Sequence, residues 1–184
     1  MASPRILAFS GSARKASFNR RFLAFAADAA REAGCEVTLV DLNDYVMPLY
    51  HGDQEDESGM PEAATRLVAL VSGHAGLLVA SPEYNSMITP LLKNTVDWCT
   101  RGDENPFEGK AVAVISASPG MLGGIRSLMM AQALFLKLGC RVVPGQCSLP
   151  NAAKAFDEAG RLTDAHAQKS ARALVAKLAK AAAS

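Results

Sequence analysis

Three short apolar runs, residues 6–9, 76–80 and 111–116, are each followed by a loop of small or polar residues. The runs are too short to be helices, and a strand that is apolar along its whole length is typical of a parallel sheet covered on both faces. Segments with helical apolar spacing follow the loops. The chain is therefore predicted to alternate strands and helices around one parallel sheet.

This alternation extends over the whole sequence. Strands are predicted at residues 6–9, 36–42, 76–80, 111–116 and from 141 to about 147, and helices at 19–33, from 61, from 90, at 125–138 and at 162–182. Parallel strands joined through helices are connected by right-handed crossovers. We expect one domain over residues 1–184, folded as a three-layer α/β/α sandwich with a five-stranded parallel sheet in the order 2-1-3-4-5.

Residues 43–61 carry no clear strand or helix pattern and are predicted to be a long irregular segment with an acidic run at 53–57. Long loops in compact domains are often functional. Two interpretations of the acidic run stay open. It is either a solvated loop or a flap that reaches an active site or a partner subunit.

Composition excludes several classes of partner and site. The net charge of +1, without a basic cluster, gives no reason to expect nucleic acid as a partner. No apolar stretch reaches the roughly 20 residues of a membrane span, and the N-terminus lacks the pattern of a signal peptide, so we expect a cytoplasmic protein without membrane insertion. The four cysteines and three histidines are scattered, so no metal site is predicted.

The loop after the first strand has the composition of an anion site. Gly11 begins a run of small residues, the loop contains Arg14, and Ser17 precedes a predicted helix. Unpaired amides and the positive end of a helix dipole favour an anion, which hydroxyl and guanidinium groups can also bind. The dinucleotide and Walker A motifs are both absent, so we interpret the loop as a site for a terminal phosphate. In the alternative interpretation, Ser17 only caps the helix and Arg14 is a solvated charge.

The loops after the third and fourth strands complete a predicted crevice. Residues 81–86 form a rigid, polar and aromatic turn, and residues 116–124 are rich in small residues. In a sheet of this order, ligands bind at the carboxyl ends of the strands, where the strand order reverses between strands 1 and 3. The three loops are therefore expected to converge on one site.

The chain resembles the NADPH-dependent FMN reductases of the flavodoxin-like superfamily. The resemblance rests on the segments GSARKASFN, SPEYNSMITPLLKNTVDW and SASPGMLGG, together with the more variable AFDEAGRLTD. This family includes quinone, azo-dye and chromate reductases, and the resemblance covers nearly the whole chain. It implies a flavodoxin-like fold, bound FMN, NADPH or NADH as hydride donor, and assembly into a homodimer or homotetramer. Asn94, Asp97 and Arg101 are candidates for an interface network, and Trp98 is assigned to the core or an interface.

The resemblance also assigns roles to individual residues. It implies that the FMN phosphate is held by Ser10, Ser12, Arg14, Ser17 and Asn19. It implies that the isoalloxazine lies between two walls formed by Pro82, Glu83, Tyr84 and Asn85 on one side and Ser116, Ser118, Gly120 and Gly123 on the other. No catalytic side chain is predicted, because the flavin itself carries the redox chemistry.

The resulting hypothesis is an enzyme in which hydride passes from NADPH or NADH to bound FMN and electrons then pass, by a ping-pong mechanism, to a small-molecule acceptor. Quinones, azo compounds, chromate and free flavin are the candidate acceptors. The alternative is a flavodoxin-type electron carrier that does not oxidise NAD(P)H. Such carriers are typically strongly acidic, whereas this chain has a net charge of +1. A scaffold that has lost its cofactor is a third hypothesis.

Overall fold

The computed structural model describes residues 3–184. The strands are β1 (Arg5–Ser10), β2 (Glu36–Val40), β3 (Gly76–Ala80), β4 (Ala111–Ala117), β5 (Arg141–Val142) and β6 (Cys147–Leu149). The helices are α1 (Phe18–Glu32), α2 (Gly52–Ser58), α3 (Glu62–Ser72), α4 (Pro90–Cys99), α5 (Ile125–Lys137) and α6 (Ala165–Ala182). Short 3₁₀ turns lie at Leu42–Asp44 and Ala152–Lys154.

All strands of the sheet are parallel, in the order β2-β1-β3-β4-β5, and β6 also pairs with β4. The predicted strand order is confirmed. The order reverses between β1 and β3, so the loops that follow these two strands begin at neighbouring positions on the carboxyl edge of the sheet. The Cα partners Ser10 and Ala80 mark this edge.

Helices cover both faces of the sheet, because side chains along a strand point alternately to opposite faces. Ile6 and Ala8 belong to a core with α1 and α6. Leu7 and Phe9 belong to a second core with α3, α4 and α5. This explains why β1, β3 and β4 are apolar throughout. No helix of the described chain is both long enough and apolar enough to cross a membrane.

The prediction that residues 43–61 are irregular is wrong. Residues 52–58, which include the acidic run, form α2. Tertiary contacts hold this segment against α4: the Tyr50 hydroxyl donates to Glu55 over 3.0 Å, and Arg101 pairs with the same carboxylate at 2.9 Å. Asn94 accepts a hydrogen bond from the Tyr50 amide. A sequence pattern without an apolar stripe gives no sign of such a helix.

The second strand ends at Val40 instead of Leu42, and the last strand and the last helix also differ from the prediction. The fifth strand is divided into β5 and β6 around Pro144 and Gly145, and Pro144 has no amide hydrogen for a sheet ladder. The last helix begins at Ala165 instead of Leu162, because the Asp164 side chain accepts a hydrogen bond from the Ala167 amide over 2.8 Å and caps the helix there.

Candidate functional site

A cleft opens at the carboxyl edge of the sheet where the loops after β1, β3 and β4 meet. It is lined by Ser12, Arg14, Ala16, Ser17, Phe18 and Asn19 from the first loop and helix, Pro82, Glu83 and Tyr84 from the second loop, and Ala117, Ser118 and Pro119 from the third. The predicted convergence of the three loops is thus present in the structure.

The β1–α1 loop, residues 11–17, is anchored to the start of α4. The Gly11 amide donates to the Ala80 carbonyl over 2.9 Å, and the Thr89 hydroxyl donates to the Gly11 carbonyl over 2.6 Å. A Cβ added to Gly11 would lie 2.9 Å from the Cβ of Leu92, so no larger residue fits without a shift. Thr89 also caps α4 by accepting from the Leu92 amide.

Beyond Gly11, the β1–α1 loop leaves several donors unused. Within residues 3–184, the amides of Ser12, Ala13, Lys15 and Ala16 donate to no backbone or side-chain acceptor, and the Arg14 guanidinium forms no hydrogen bond or ion pair. Ser17 accepts from the Arg20 amide and caps α1, whose positive dipole end faces the loop. The loop therefore contains unpaired donors and a positive charge, and Ser12, Arg14 and Ala16 among its residues line the cleft.

Asn19 lines the cleft, but its side chain is already bonded. Its amide nitrogen donates to the Ala117 carbonyl over 2.7 Å, and its carbonyl oxygen accepts from the Ala117 amide over 2.9 Å. These two bonds join the first turn of α1 to the end of β4. In the described structure, Asn19 fixes the position of the helix instead of offering a vacant donor.

Ser10 lies elsewhere. It lines a separate cavity together with Arg20, Leu23 and Asp41. Its hydroxyl oxygen is buried and has no hydrogen-bond partner within residues 3–184.

The β3–α4 loop folds back on itself in a tight turn. Tyr84 and Met87 exchange backbone hydrogen bonds of 3.1 and 3.0 Å, and the residues between them, Asn85 and Ser86, have φ values of 50° and 68°. Positive φ at both central positions is characteristic of a type I′ turn, and asparagine tolerates this conformation well. Asn85 therefore shapes the turn without lining the cleft. The Tyr84 side chain is half exposed.

Glu83 joins the second loop to α5. One carboxylate oxygen accepts hydrogen bonds from the amides of Arg126 and Ser127, over 3.1 and 3.2 Å, and the other pairs with the Arg126 guanidinium at 3.1 Å. A carboxylate at a helix N-terminus satisfies amides that have no partner within the helix. The charge of Glu83 is thus committed to holding the cleft wall.

A hydroxyl network formed by Ser81, Ser116 and Ser127 lies beneath this wall. Ser116 donates to the Ser81 carbonyl over 2.8 Å, Ser127 donates to the Pro82 carbonyl over 2.7 Å, and the Ser81 and Ser127 hydroxyls are 2.8 Å apart. All three serines are fully buried. Ser116 was predicted to face the cofactor, but it belongs to this network and does not line the cleft.

Glycines let the β4–α5 loop pack closely on its neighbours. Gly123 and Gly124 have φ values of 60° and 81°, and a Cβ on them would lie 2.7 Å from the Pro150 nitrogen and 2.0 Å from the Ser116 hydroxyl oxygen. Gly120 and Gly123 lie outside the cleft lining. Ser118 lines the cleft and accepts a hydrogen bond from the Gly120 amide over 3.1 Å.

The structure therefore groups the predicted residues in two sets. Those that line the cleft are Ser12, Arg14, Ser17, Asn19, Pro82, Glu83, Tyr84 and Ser118. Those outside its lining are Ser10, Asn85, Ser116, Gly120 and Gly123. Sequence reasoning missed the positioning roles of Gly11, Thr89 and Ser127. Thr89 was recognised only as a helix cap, and Ser127 lies inside a helix, where a lone serine gives no signal.

A family model described as NADPH-dependent FMN reductase matches residues 4–154. An NAD(P)H-dependent FMN reductase of Pseudomonas aeruginosa is 34% identical over 167 residues, covering 90% of this chain and 88% of that protein. A quinone reductase of Escherichia coli strain K12 is 33% identical over 125 residues, covering 66% of this chain and 64% of that protein.

Among solved structures, the flavoenzyme NAD(P)H:(acceptor) oxidoreductase of Paracoccus denitrificans superposes with a TM-score of 0.84 at 25% sequence identity. The superposition covers 98% of this chain and 97% of that chain. The predicted flavodoxin-like fold is confirmed by this similarity and by the strand order.

Proposed function

Because the chain belongs to the NADPH-dependent FMN reductase family, we propose that the cleft at the carboxyl edge of its sheet holds FMN and serves both half-reactions of a ping-pong oxidoreductase. The chain is an NAD(P)H-dependent oxidoreductase with FMN as cofactor. When bound there, FMN would supply the redox chemistry between NAD(P)H and an acceptor, and the residues of the cleft would hold and orient it. The observation that carries the proposal is the set of unpaired donors in the β1–α1 loop, three of whose residues, Ser12, Arg14 and Ala16, line the cleft.

The residues at the phosphate end fit this cofactor. A terminal phosphate has several oxygens to satisfy. The loop offers the unpaired amides of Ser12 and Ala16, two residues that line the cleft, together with the Arg14 guanidinium. The hydroxyls of Ser12 and Ser17 also line the cleft, and α1 begins there. Charge-assisted bonds to these donors would bind a dianion firmly. Asn19 would contribute by keeping α1 in place.

The opposite end of the cleft fits a flat ring. Pro82 and Pro119 are rigid, Tyr84 offers an aromatic face, and Ser118 supplies a hydroxyl. The cleft lining contains no histidine, and its one carboxylate, Glu83, is bonded to the start of α5. We therefore propose that the chain contributes orientation and fixed donors instead of a proton-transferring side chain.

The proposed acceptors are small molecules of the quinone, azo, chromate and free-flavin classes. Tyr84, Met87, Met121 and Leu122 expose half or more of their side chains on the second and third loops. Flexible methionines adapt to acceptors of different shape. A broad acceptor range is consistent with this composition.

We also propose that the protein assembles as a homodimer or homotetramer in the cytoplasm, where NAD(P)H is available. α5 exposes Met129, Met130 and Leu136, which are apolar side chains that self-association would cover. Light scattering coupled to size-exclusion chromatography measures this directly, and the mass of a monomer at micromolar concentration would contradict it.

The enzymatic proposal is tested by anaerobic titration of the FMN-loaded protein with NADPH, followed by the flavin absorbance. Bleaching at near-stoichiometric NADPH is expected. If bound FMN stays oxidised with both NADPH and NADH, the hypothesis of an electron carrier would replace that of a reductase. Failure of FMN to bind would contradict the assignment of the phosphate site.

A further inference from the structure

A second cavity, of about 280 Å³, lies beside the β1–α1 loop but outside the cleft. It is bounded by the ends of β1 and β2, the first turns of α1 and the 42–44 turn. Its polar lining residues are Ser10, Arg20, Asp41 and Asp44, and its apolar lining includes Leu23 and Leu39. The proposed binding of FMN uses none of these side chains.

The Ser10 hydroxyl is the unexplained group in this cavity. Ser10 is only 5% exposed, and its hydroxyl oxygen has no hydrogen-bond partner among residues 3–184. Its side chain points to the same face of the sheet as that of Ala8, toward α1. Leaving a buried hydroxyl unpaired is unfavourable, so a polar ligand group at this place would be stabilised.

Arg20 and Asp41 form an ion pair at the mouth of the cavity. Both side chains are about one third exposed, at 32% and 29%. Asp41 is oriented from the other side by Asn43, whose backbone and side-chain nitrogens each donate to it over 3.0 Å. The carboxylate is therefore held at the end of β2 by several partners, whereas the Arg20 guanidinium bonds only Asp41 within residues 3–184.

In doubly wound sheets that carry the dinucleotide glycine motif, which this chain lacks, an acidic residue beyond the motif bonds the ribose of NAD, and a nearby arginine accommodates the 2′-phosphate of NADP. This chain carries both residues, paired with each other. We propose that the cavity binds the adenosine ribose of the nicotinamide cofactor, and that Arg20 and Asp41 set the preference between NADPH and NADH. The inference rests on the proposed function and extends it to the adenosine end of the nicotinamide cofactor.

The cavity and the cleft are adjacent. Phe18 and Asn19 line the cleft, and the next residue of α1, Arg20, lines the cavity. The side chain of Asn43 donates to the Ala13 carbonyl over 3.3 Å, so the 42–44 turn touches the β1–α1 loop. A dinucleotide can therefore reach both places by passing over a single loop, which carries the exposed cations Arg14 and Lys15.

The two cofactors would use the ion pair differently. A 2′-phosphate attracts Arg20 away from Asp41, because a dianion is the stronger partner. An unmodified ribose leaves the ion pair in place, and one of its hydroxyls donates a hydrogen bond to the Asp41 carboxylate. Ser10 serves both cofactors by bonding a ribose hydroxyl. Binding of NADPH thus breaks an ion pair that binding of NADH preserves.

The test is isothermal titration of the FMN-loaded protein with adenosine 2′,5′-bisphosphate and with ADP, since loaded FMN keeps these fragments out of the phosphate loop. Arg20→Gln should weaken binding of the bisphosphate about tenfold, by removing a charge-assisted bond, and should change ADP binding little. Asp41→Asn should strengthen the bisphosphate and weaken ADP, because it frees Arg20 and removes a repelling carboxylate.

Arg21→Gln is the matched control. It removes the same charge one residue along α1, but Arg21 lies over the Phe156 ring, 5.7 Å from its centroid, and does not line the cavity. Its effect should be below about twofold. Equal losses in Arg20→Gln and Arg21→Gln, or no binding of the bisphosphate to the unmodified protein, would overturn the inference. The tighter binding expected in Asp41→Asn cannot be produced by a partly unfolded variant.

These outcomes are distinguishable from failure of the proposed function. If NADPH does not bleach the flavin but the fragments follow the expected pattern, the cavity is a nucleotide site in a protein that is not a reductase. If NADPH bleaches the flavin and the KM for NADPH is unchanged in Arg20→Gln, the reductase stands and the cavity assignment is wrong.

Discussion

The two sides of the cleft differ in the hydrogen bonding of their polar groups. In the β1–α1 loop, four backbone amides and the Arg14 guanidinium have no acceptor within residues 3–184. Across the cleft, the hydroxyl network of Ser81, Ser116 and Ser127 is fully bonded, and Glu83 is bonded to α5.

Under the proposed binding of FMN, this difference separates the binding surface from its support. Donors without internal partners gain most when an anion arrives, whereas bonded groups gain nothing from a ligand and instead fix the backbone that surrounds it. Changes on the first side should therefore reduce cofactor affinity, and changes on the second side should reduce stability. Substitutions on each side test that division.

The largest effect is expected for Gly124→Ala. A Cβ there would lie 2.0 Å from the Ser116 hydroxyl oxygen, and the residue has φ of 81°. Overpacking together with an unfavourable backbone conformation should lower the free energy of unfolding by about 3 kcal/mol. Urea denaturation of the apoprotein measures this loss of stability.

Gly160→Ala is the matched control, since Gly160 has φ of 80° and nothing within 4 Å of an added Cβ. It should lose only about 1 kcal/mol, and equal losses would show that the hydroxyl network tolerates the added carbon.

Arg14→Ala tests the binding side. The variant loses one or more charge-assisted hydrogen bonds, so FMN affinity should fall by roughly tenfold to a hundredfold while the stability of the apoprotein is unchanged. Quenching of flavin fluorescence on binding gives the dissociation constant. The control is Lys15→Ala, which removes the neighbouring charge at a residue outside the cleft lining and should cost less than about threefold. Unchanged affinity in Arg14→Ala would remove this residue from the phosphate site.

Ser127→Ala tests the supporting side. The change leaves the Pro82 carbonyl and the Ser81 hydroxyl without partners in a buried place, which should lower the free energy of unfolding by about 1.5 kcal/mol. FMN affinity should change by less than about threefold. Ser170→Ala on α6, where the hydroxyl bonds no other described residue, should be neutral or slightly stabilising. An affinity loss as large as that of Arg14→Ala would contradict the proposed division.

Much of the architecture could be predicted from sequence because its signals are local. Apolar runs such as residues 76–80 and the Thr89–Pro90 helix start act over a few neighbouring positions, and both predictions are confirmed. α2 could not be predicted, because Glu55 is held by Tyr50 and by Arg101, which lies 46 residues away. The division of the last strand likewise depends on where β6 meets β4.

At the cleft, sequence reasoning selected three segments that line it but could not decide which side chains are already bonded. Asn19 and Ala117 are 98 residues apart, so their paired hydrogen bonds leave no trace in sequence spacing. The same is true of Ser116, whose partner Ser81 lies 35 residues away in the β3–α4 loop. Residue type identifies groups able to bind a ligand, whereas only the folded backbone shows which of them are still available.

Glu55→Gln applies the same comparison to an exposed ion pair and should have the smallest effect. The hydrogen bond from Arg101 is the main cause that holds the pKa of Glu55 below its ordinary value of 4.5, and the hydrogen bond from Tyr50 acts in the same direction. A lowered pKa in the folded state contributes stability above the unfolded-state pKa, and this contribution is lost as the pH falls through the folded-state pKa. The variant should therefore be slightly less stable at pH 7, and the difference should disappear as the pH falls below about 4.5. Unfolding curves for both proteins between pH 3 and 7 measure this convergence.

A difference in stability that persists in acid would show that Glu55 acts through packing and not through its charge. Neither Glu55 nor Arg101 lines the cleft, so FMN affinity should be the same in both proteins. This ion pair would then matter only for holding α2 on α4.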